Sequence, residues 1–226
     1  MVERKIQWRY IGIAFVITAL MFTGILFLGQ ELSDYKVDNL ENQISELETE
    51  QRSTVLTNAL ANELGSEECS AQRIVAEQNL KDLYNVRTQV VQHQQSSKIE
   101  NPRFENLKEQ YLLITLENYL RRQSLERNCN DTKIEILYFH SDSCDKCQGQ
   151  GKMLTKYRTI YDDEILVYPL DTDYDLEPIN FLERYYEIEE YPSIVVEDKV
   201  MQGWTTRAQL TNAIESRMNN RNSTEG

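Results

Sequence analysis

The sequence predicts an α/β domain at its carboxyl end, preceded by a single transmembrane helix and an α-helical hairpin that forms a stalk. Two observations predict the helices: an uncharged apolar run over residues 10–29, and a stretch of helix-forming residues from Glu31 to about Asn128. A third predicts the α/β domain, because β-rich and helical stretches alternate after Cys129. We therefore divide the chain into a cytoplasmic amino terminus with its anchor (1–30), a helical stalk (31–130), the α/β domain (131–220) and a disordered tail (221–226).

The apolar run from Tyr10 to Gly29 contains 20 residues without one charge. At 1.5 Å per residue, a helix of that length spans roughly 30 Å, the thickness of the hydrocarbon core of a bilayer. Trp8 and Tyr10 stand at its start, where aromatic rings favour the headgroup layer. A cleaved signal peptide is the alternative, but its apolar region is normally about 7–15 residues long and ends in a small-residue site. The sequence Phe27-Leu28-Gly29 offers no such site, so we expect an uncleaved anchor.

Charge predicts the orientation of this anchor and limits the partners of the chain. Arg4, Lys5 and Arg9 precede the apolar run, whereas Glu31 and Asp34 follow it. By the positive-inside rule, the amino terminus is cytoplasmic and the residues after 30 are extracytoplasmic, as in a single-pass membrane protein. The whole chain carries a net charge of −13. This balance excludes a general nucleic-acid binder, because such proteins need cationic side chains to displace counterions from phosphate.

Three helices are expected in the stalk, each with one apolar stripe. The stripe of the first is too short for a long coiled coil and consists of Leu40, Ile44 and Leu47, followed by Leu56, Leu60 and Leu64. The second helix runs from Glu67 to about Gln95 and presents Ala76, Leu80, Leu83 and Val90. The third begins at Pro102 and presents Phe104, Leu107, Tyr111 and Ile114. These stripes predict an intramolecular core, or a surface for a membrane partner or a second copy of the chain.

Two cysteines mark the ends of the second and third helices. Cys69 stands 27 positions before Ser96, and Cys129 stands 27 positions after Pro102. Equal arms of an antiparallel hairpin bring these two cysteines together at its open end, and the expected compartment is oxidising, so we predict a structural disulfide. Closing a loop of this length stabilises the fold by roughly 4 kcal/mol in the chain-entropy model. The alternative is a pair of free buried thiols.

The order of elements after Cys129 is strand, helix, strand, helix, strand, strand, helix. The predicted strands cover 133–139, 165–170, 191–196 and 200–204. The predicted helices run from Gln148 to about Tyr161, over residues 177–187, and from Thr206 to about Met218. The sequence Cys144-Asp145-Lys146-Cys147 lies between the first strand and the first helix of this order.

On these features, residues 132–219 resemble the thioredoxin superfamily. The resemblance rests on the Cys144–Cys147 motif, on Pro192 at the start of the third strand, and on Gly203 after the last hairpin. It implies a thioredoxin-like fold in which the Tyr191–Pro192 bond is cis and the Tyr191 backbone pairs with a substrate strand. The alternative for Pro192 is a trans proline at a strand start. The first βα unit of thioredoxin is not evident, because the third stalk helix fills its place.

The spacing of Cys144 and Cys147 suits dithiol–disulfide exchange. Two cysteines three apart at a helix start can close a small disulfide ring, and the positive end of the helix favours a thiolate. We expect Cys144 to attack and the less exposed Cys147 to resolve the mixed disulfide. Lys146 adds positive charge nearby and Asp145 removes some. His140, four residues before Cys144, either tunes the thiol or is merely structural.

Two departures from the family pattern weigh against an efficient reductant. Tyr138 stands where such thioredoxins carry a buried aspartate that relays protons, and Ser143 stands where an aromatic residue usually precedes the first cysteine. A zinc site is the competing chemistry for the cysteines, but structural zinc needs four ligands and the two histidines show no ligand spacing. We therefore expect neither a metal nor a cofactor.

The sequence thus predicts a membrane-anchored thiol–disulfide oxidoreductase that acts on protein thiols and disulfides on the extracytoplasmic side. The direction of electron flow stays open at this stage. The first alternative is a non-catalytic thioredoxin-like docking module whose helical stalk binds a membrane or envelope partner. The second is a redox sensor in which the state of Cys144 and Cys147 alters the packing of the stalk.

Overall fold

The computed structural model describes residues 8–63, 69–96, 102–129, 131 and 133–224. The helices in these ranges are α1 (Trp8–Glu63), α2 (Cys69–Ser96), α3 (Pro102–Cys129), α4 (Cys147–Ile160), α5 (Glu177–Tyr185) and α6 (Arg207–Thr224). The strands are β1 (Ile134–His140), β2 (Ile165–Asp171), β3 (Ser193–Val196) and β4 (Lys199–Gln202). A short 3₁₀ helix over Asp162–Glu164 precedes β2.

The four strands form one sheet in the order β2-β1-β3-β4. β1 and β2 are parallel, with Ile134 opposite Ile165, whereas β3 runs antiparallel to both β1 and β4. The two parallel strands are almost wholly buried, which explains their nearly continuous apolar sequences. The order of strands and helices after Cys129 matches the predicted one. This part of the chain therefore has a thioredoxin-like α/β fold.

Alternate residues of the strands face two different cores. Ile134, Ile136 and Tyr138 pack with Leu154 of α4 and Leu210 of α6 on one face of the sheet. On the other face, the buried residues come from β1–β3, from α1, α2 and α3, and from α5. The period of two along each strand produces this division, because successive side chains point to opposite faces.

The hairpin of α2 and α3 packs directly against the sheet of the α/β domain. Apolar side chains of α1, α2 and α3 share one core with Leu137 and Phe139 of β1. Polar contacts cross the same junction: the Lys108 ammonium of α3 pairs with Asp171 of β2, and Gln123 of α3 donates to Glu135 of β1 at 2.7 Å. Helix α3 therefore covers a face of the sheet, and the division of the chain between residues 130 and 131 stays a prediction.

Helix α1 packs on the hairpin over only part of its length. Val37, Leu40, Ile44 and Leu47 are buried, and the amide of Gln43 exchanges hydrogen bonds with the Gln89 amide of α2. The predicted continuation of the stripe is wrong at Leu56, which is 64% exposed. The side chains of residues 60 and 64 lie outside the described ones, as do the expected helix end at residue 65 and helix start at residue 67.

The expected membrane anchor lies within α1. Among the residues that the structure describes, there is no helix with a span both long and apolar enough to traverse a bilayer. The side chains of the expected anchor at residues 10, 11, 13 and 24–29 are outside that description. Those described include exposed apolar groups, namely Phe15, Val16, Ile17, Leu20, Met21 and Phe22. The anchor and its orientation therefore stay predictions.

The carboxyl-terminal helix is longer than the sequence pattern indicates. We expected it to end near Met218 and the chain to be disordered over 221–226, but α6 continues to Thr224. Leu210, Ala213 and Ile214 are buried and bind this helix to the sheet. Its last residues lack apolar periodicity, so their helical backbone could not be recognised from the pattern. Residues 225–226 lie outside the described part of the chain.

Candidate redox site

Cys144 and Cys147 lie at the junction of β1 and α4. β1 ends at His140, residues 141–146 form a turn, and Cys147 is the first residue of α4. The two cysteines form a disulfide with their Cα atoms 5.4 Å apart. Cys147 is only 5% exposed, whereas Cys144 is partly exposed. An incoming thiolate can therefore reach the Cys144 sulfur more readily than its partner.

Helix α4 begins at Cys147, one residue before the predicted start at Gln148, and does not include Cys144. Lys146 is the N-cap of α4, so Cys144 stands in the turn and not in the helix. The Cys147 N–H donates to the Cys144 carbonyl at 3.1 Å, which makes the turn continuous with the first turn of the helix. The positive end of the helix therefore lies nearest to Cys147 and favours its thiolate, whereas the burial of Cys147 opposes ionisation.

Asp173 holds the turn that carries Cys144. Its carboxylate accepts hydrogen bonds from the Ser141 hydroxyl at 2.7 Å and from the Asp142 N–H at 2.5 Å. The Ser141 hydroxyl also accepts from the Ser143 N–H at 3.1 Å. Neither Ser141 nor Asp173 was predicted as a site residue from the sequence. Asp173 follows β2, and parallel strands end at the same edge of a sheet, so its closeness to the residues after β1 was the available signal.

Tyr138 lies beneath the disulfide, at the position where we noted the missing aspartate. Its hydroxyl donates to the Cys147 carbonyl at 2.6 Å, and its ring is buried. Burial raises the pKa of Tyr138 well above its ordinary value, while the charge of Arg87 lowers it. The hydroxyl is therefore a fixed donor that positions the start of α4, and it does not take the place of a titrating carboxylate.

His140 ends β1 and faces the same region as the disulfide. Its ring lies 5.2 Å from the Tyr138 ring, centroid to centroid. Burial lowers the pKa of His140, and the nearby Lys108 and Arg87 lower it further against the opposing effect of Asp171. His140 is therefore neutral at neutral pH. A neutral imidazole adds no positive charge beside Cys144, so a tuning role through charge has no support at that pH.

The other predicted tuning residues lie in solvent. The side chains of Asp145 and Lys146 are both exposed, although Lys146 also caps α4 through its backbone. Exposed charges are screened by water and salt, so their effect on the disulfide is small compared with that of buried groups.

The Tyr191–Pro192 bond is cis. Ser193 pairs with Phe139, so Pro192 stands beside the end of β1 that leads to Cys144. Pro192 is buried, and the Tyr191 hydroxyl donates to the Glu183 carboxylate of α5. Pairing of the Tyr191 backbone with a substrate strand stays a prediction.

Gln150 connects α4 with the loop before α6, and Gly203 lies in that loop. Gly203 has a φ of +71°, a conformation that side chains disfavour, and its place beside the Glu190 carboxylate leaves little room for one. Gln150 is buried, and its side-chain oxygen accepts from the Thr205 N–H at 3.0 Å. This contact fixes the second turn of α4, and with it the orientation of the helix that carries Cys147.

The other two cysteines, and a cluster of three carboxylates near the turn, make structural contacts. Cys69 and Cys129 form a disulfide across the open end of the hairpin, with their Cα atoms 5.5 Å apart. The carboxylates of Asp142, Asp171 and Asp173 lie within 4.8 Å of one another. Asp173 binds the turn, and Asp171 pairs with the Lys108 ammonium at 2.6 Å, so this cluster serves hydrogen bonding and charge pairing.

A cavity of about 600 Å³ adjoins the disulfide. Cys144, Cys147 and His140 line it from the α/β part, and residues of α2 and α3 line it from the hairpin, among them Arg87 and Tyr111. Burial raises the pKa of Tyr111 to about 12, and the charge of Arg87 opposes this shift. Sequence reasoning could not find this cavity, because it required the hairpin to pack against the sheet.

Comparison with known proteins gives structural likeness only. No family model matches the sequence, and no curated protein matches it. A solved structure described as a malarial protein is 19% identical, with a TM-score of 0.33, and the match covers 38% of this chain and 98% of that one. Thioredoxin-2 of the malaria parasite is also 19% identical, with a TM-score of 0.32 over 37% of this chain and 82% of that one. Chloroplastic thioredoxin z is 17% identical, with a TM-score of 0.34 over 43% of this chain and 89% of that one.

Proposed function

We propose that this protein is a thiol–disulfide oxidoreductase that acts on protein thiols and disulfides through Cys144 and Cys147. The observation that carries the proposal is the unequal burial of the two sulfurs in one disulfide at a strand–helix junction. A partly exposed sulfur bonded to a buried one gives a single point of attack and a protected leaving group.

The exchange would follow from this geometry in two steps. A substrate thiolate attacks the Cys144 sulfur, the bond between Cys144 and Cys147 breaks, and Cys147 leaves as a thiolate. A second substrate thiolate then attacks the substrate sulfur of the mixed disulfide and releases the Cys144 thiolate. Two electrons pass from the substrate dithiol to the protein, and the reverse sequence reduces a substrate disulfide. The amino terminus of α4 stabilises the Cys147 thiolate in both directions.

We also propose that residues 10–29 anchor the protein in a membrane with its redox site on the extracytoplasmic side. The uncharged run and the preceding cations support this arrangement. The disulfide between Cys69 and Cys129 fits it, since stable structural disulfides are typical of oxidising compartments.

The proposed activity is tested by insulin reduction and by oxidation of a model dithiol peptide with the full chain. We expect Cys144→Ser to abolish turnover in both assays. We expect Cys147→Ser to accumulate a mixed disulfide at Cys144, visible as a mass increase that dithiothreitol removes. The control is the pair Cys69→Ser and Cys129→Ser, which leaves the redox pair intact. Equal activity of the wild type and Cys144→Ser would favour the docking module instead.

A further inference from the structure

The cavity beside the disulfide is large enough for a small molecule. Its volume of about 600 Å³ falls within the range of ordinary ligand sites. Both Cys144 and Cys147 line it, so a molecule bound there lies against the disulfide. The hairpin supplies Arg87 and apolar side chains such as Val90 and Leu112. The site therefore combines a reactive sulfur pair, an apolar surface and a cation.

Arg87 is a cation of this cavity that the described residues leave without a counter-charge. Its Nε is buried and makes no hydrogen bond with any described residue. Lys108, which also lines the cavity, is neutralised by Asp171 at 2.6 Å, and both of these side chains are almost fully buried. The Arg87 side chain as a whole is partly exposed and lines the cavity, so the guanidinium can offer its other N–H groups to a ligand that accepts hydrogen bonds.

The other charges around the cavity do not cancel that of Arg87. The Asp142 carboxylate accepts from the Gln94 amide at 3.0 Å, and Lys152 is an exposed cation of α4. These two charges are opposite in sign, so the charged side chains that line the cavity sum to one positive charge, in a protein whose net charge is −13. A planar carboxylate suits a guanidinium, because both can share two parallel hydrogen bonds.

We propose that this cavity binds a small thiol or disulfide that carries a carboxylate, with Arg87 holding the carboxylate and Cys144 exchanging with the ligand sulfur. This inference rests on the proposed redox function and identifies a small molecule that exchanges electrons with the pair. The ligand thiolate attacks the Cys144 sulfur and Cys147 leaves as a thiolate. A second ligand thiolate attacks the bound ligand sulfur, forming the ligand disulfide and releasing the Cys144 thiolate. Two ligand thiols are oxidised, the protein disulfide is reduced, and the released protons protonate the cysteine thiolates or pass to water.

The test measures reduction of the Cys144–Cys147 disulfide in the full chain by three small thiols that differ in charge. These are mercaptopropionate (anionic), mercaptoethanol (neutral) and cysteamine (cationic), each at a concentration giving the same amount of thiolate. Rates come from acid quenching, alkylation and mass analysis of the peptide that carries both cysteines. We expect Arg87→Gln to lower the rate of disulfide reduction by mercaptopropionate about tenfold, which corresponds to the loss of one charged hydrogen bond. The rate of reduction by mercaptoethanol should stay unchanged.

Two variants control for charge and for folding. Lys199→Gln removes the same charge from an exposed position in β4 outside the cavity, and we expect no change with any thiol. Arg87→Lys keeps the charge, and we expect it to retain part of the preference for mercaptopropionate. Far-UV circular dichroism of each variant reports on folding, independently of the three rates.

The possible results separate the two proposals. If Arg87→Gln changes the rates of all three thiols equally, or changes none, the carboxylate site is wrong while the redox pair remains active. If wild type shows no preference for mercaptopropionate over cysteamine, the site is also wrong. If no thiol reduces the Cys144–Cys147 disulfide in the folded wild type, the proposed redox function itself fails.

Discussion

Glu135 is a carboxyl group held in the middle of a buried strand. It is only 6% exposed, because α3 covers this face of β1, and its Oε2 accepts from the Gln123 amide at 2.7 Å. Burial raises the pKa of Glu135 to about 8, the Gln123 hydrogen bond opposes this shift, and the nearby Glu126 and Asp131 increase it. At pH 7 the folded protein therefore holds a proton on Glu135 that the unfolded chain releases.

This protonation predicts a dependence of stability on pH. Between the unfolded pKa of about 4.5 and the folded pKa of about 8, the folded state binds more protons, so the free energy of unfolding falls as the pH rises. We expect Glu135→Gln, which cannot ionise and can still bind Gln123, to be more stable than wild type by about 3 kcal/mol at pH 7 and by much less at pH 4.5. Urea denaturation at the two pH values measures the difference.

The exposed Glu109 of α3 provides the control, since Glu109→Gln removes the same charge without burial. We expect its stability to differ from wild type by a small amount that does not depend on pH. If Glu135→Gln follows the same pH profile as Glu109→Gln, Glu135 is ionised in the folded protein and the assignment is incorrect.

At the same scale, the sequence predicts apolar positions better than polar ones. Leu40, Leu80 and Leu107 each belong to an apolar stripe at helical spacing in a different helix, and all three are buried as expected. Ser141 and Asp173 are 32 positions apart, and only the parallel pairing of β1 with β2 brings them together. Contacts between polar side chains leave no periodic pattern in the sequence, so they follow from the topology of the sheet and cannot be predicted locally.

Helix α3 illustrates the same limit at the scale of an element. Its apolar stripe predicted the helix and its hairpin partner. However, α3 also buries polar side chains of its own, namely Lys108, Thr115, Asn118 and Arg122. Such residues are normally exposed, so the pattern indicated a stalk helix with one covered face. Its docking on the sheet depends on pairs that the linear sequence does not reveal.

The pair of Lys108 and Asp171 gives the prediction for this element. Lys108 comes from α3 and Asp171 from the end of β2, with 7% and 1% of their side chains exposed. We expect Lys108→Met alone to lower the free energy of unfolding by about 3–5 kcal/mol, because it leaves the Asp171 carboxylate buried without its partner. The double variant with Asp171→Asn should recover most of that loss, since the asparagine oxygen can still accept from the Asp173 N–H.

Urea denaturation of the four members of this cycle measures the coupling between the two side chains. A matched pair lies on the surface, where Arg184 and Glu177 are 2.7 Å apart with 61% and 78% of their side chains exposed. The corresponding variants of that pair should change stability by less than about 1 kcal/mol. Additive effects of Lys108→Met and Asp171→Asn would show that the two charges are not coupled and that α3 docks without them.

At the scale of the whole molecule, one core joins the hairpin to the sheet, while the amino-terminal part of α1 lies outside it. The buried side chains of α1 begin at Val37 in the described residues, and the described apolar side chains over 14–23 are exposed. The apolar stripes of the sequence predicted the core, whereas the anchor expected over residues 10–29 stays a prediction. The sequence did not predict that a thioredoxin-like sheet and a helical hairpin would share that core, because either apolar surface could have packed against a different partner.

This arrangement leads to a prediction about the membrane side of the redox site. In intact cells that express the full chain, mild reduction followed by a membrane-impermeant maleimide should label Cys144 from outside, because the positive-inside rule, applied to Arg4, Lys5 and Arg9, predicts a cytoplasmic amino terminus. The variant Val2→Cys supplies the matched control, since its new thiol should react only after lysis. Replacing the three cations by glutamine should weaken the bias and move part of the Cys144 signal to the lysed sample. Labelling of Cys144 only after lysis in the unaltered chain would place the redox site in the cytoplasm and refute the proposed orientation.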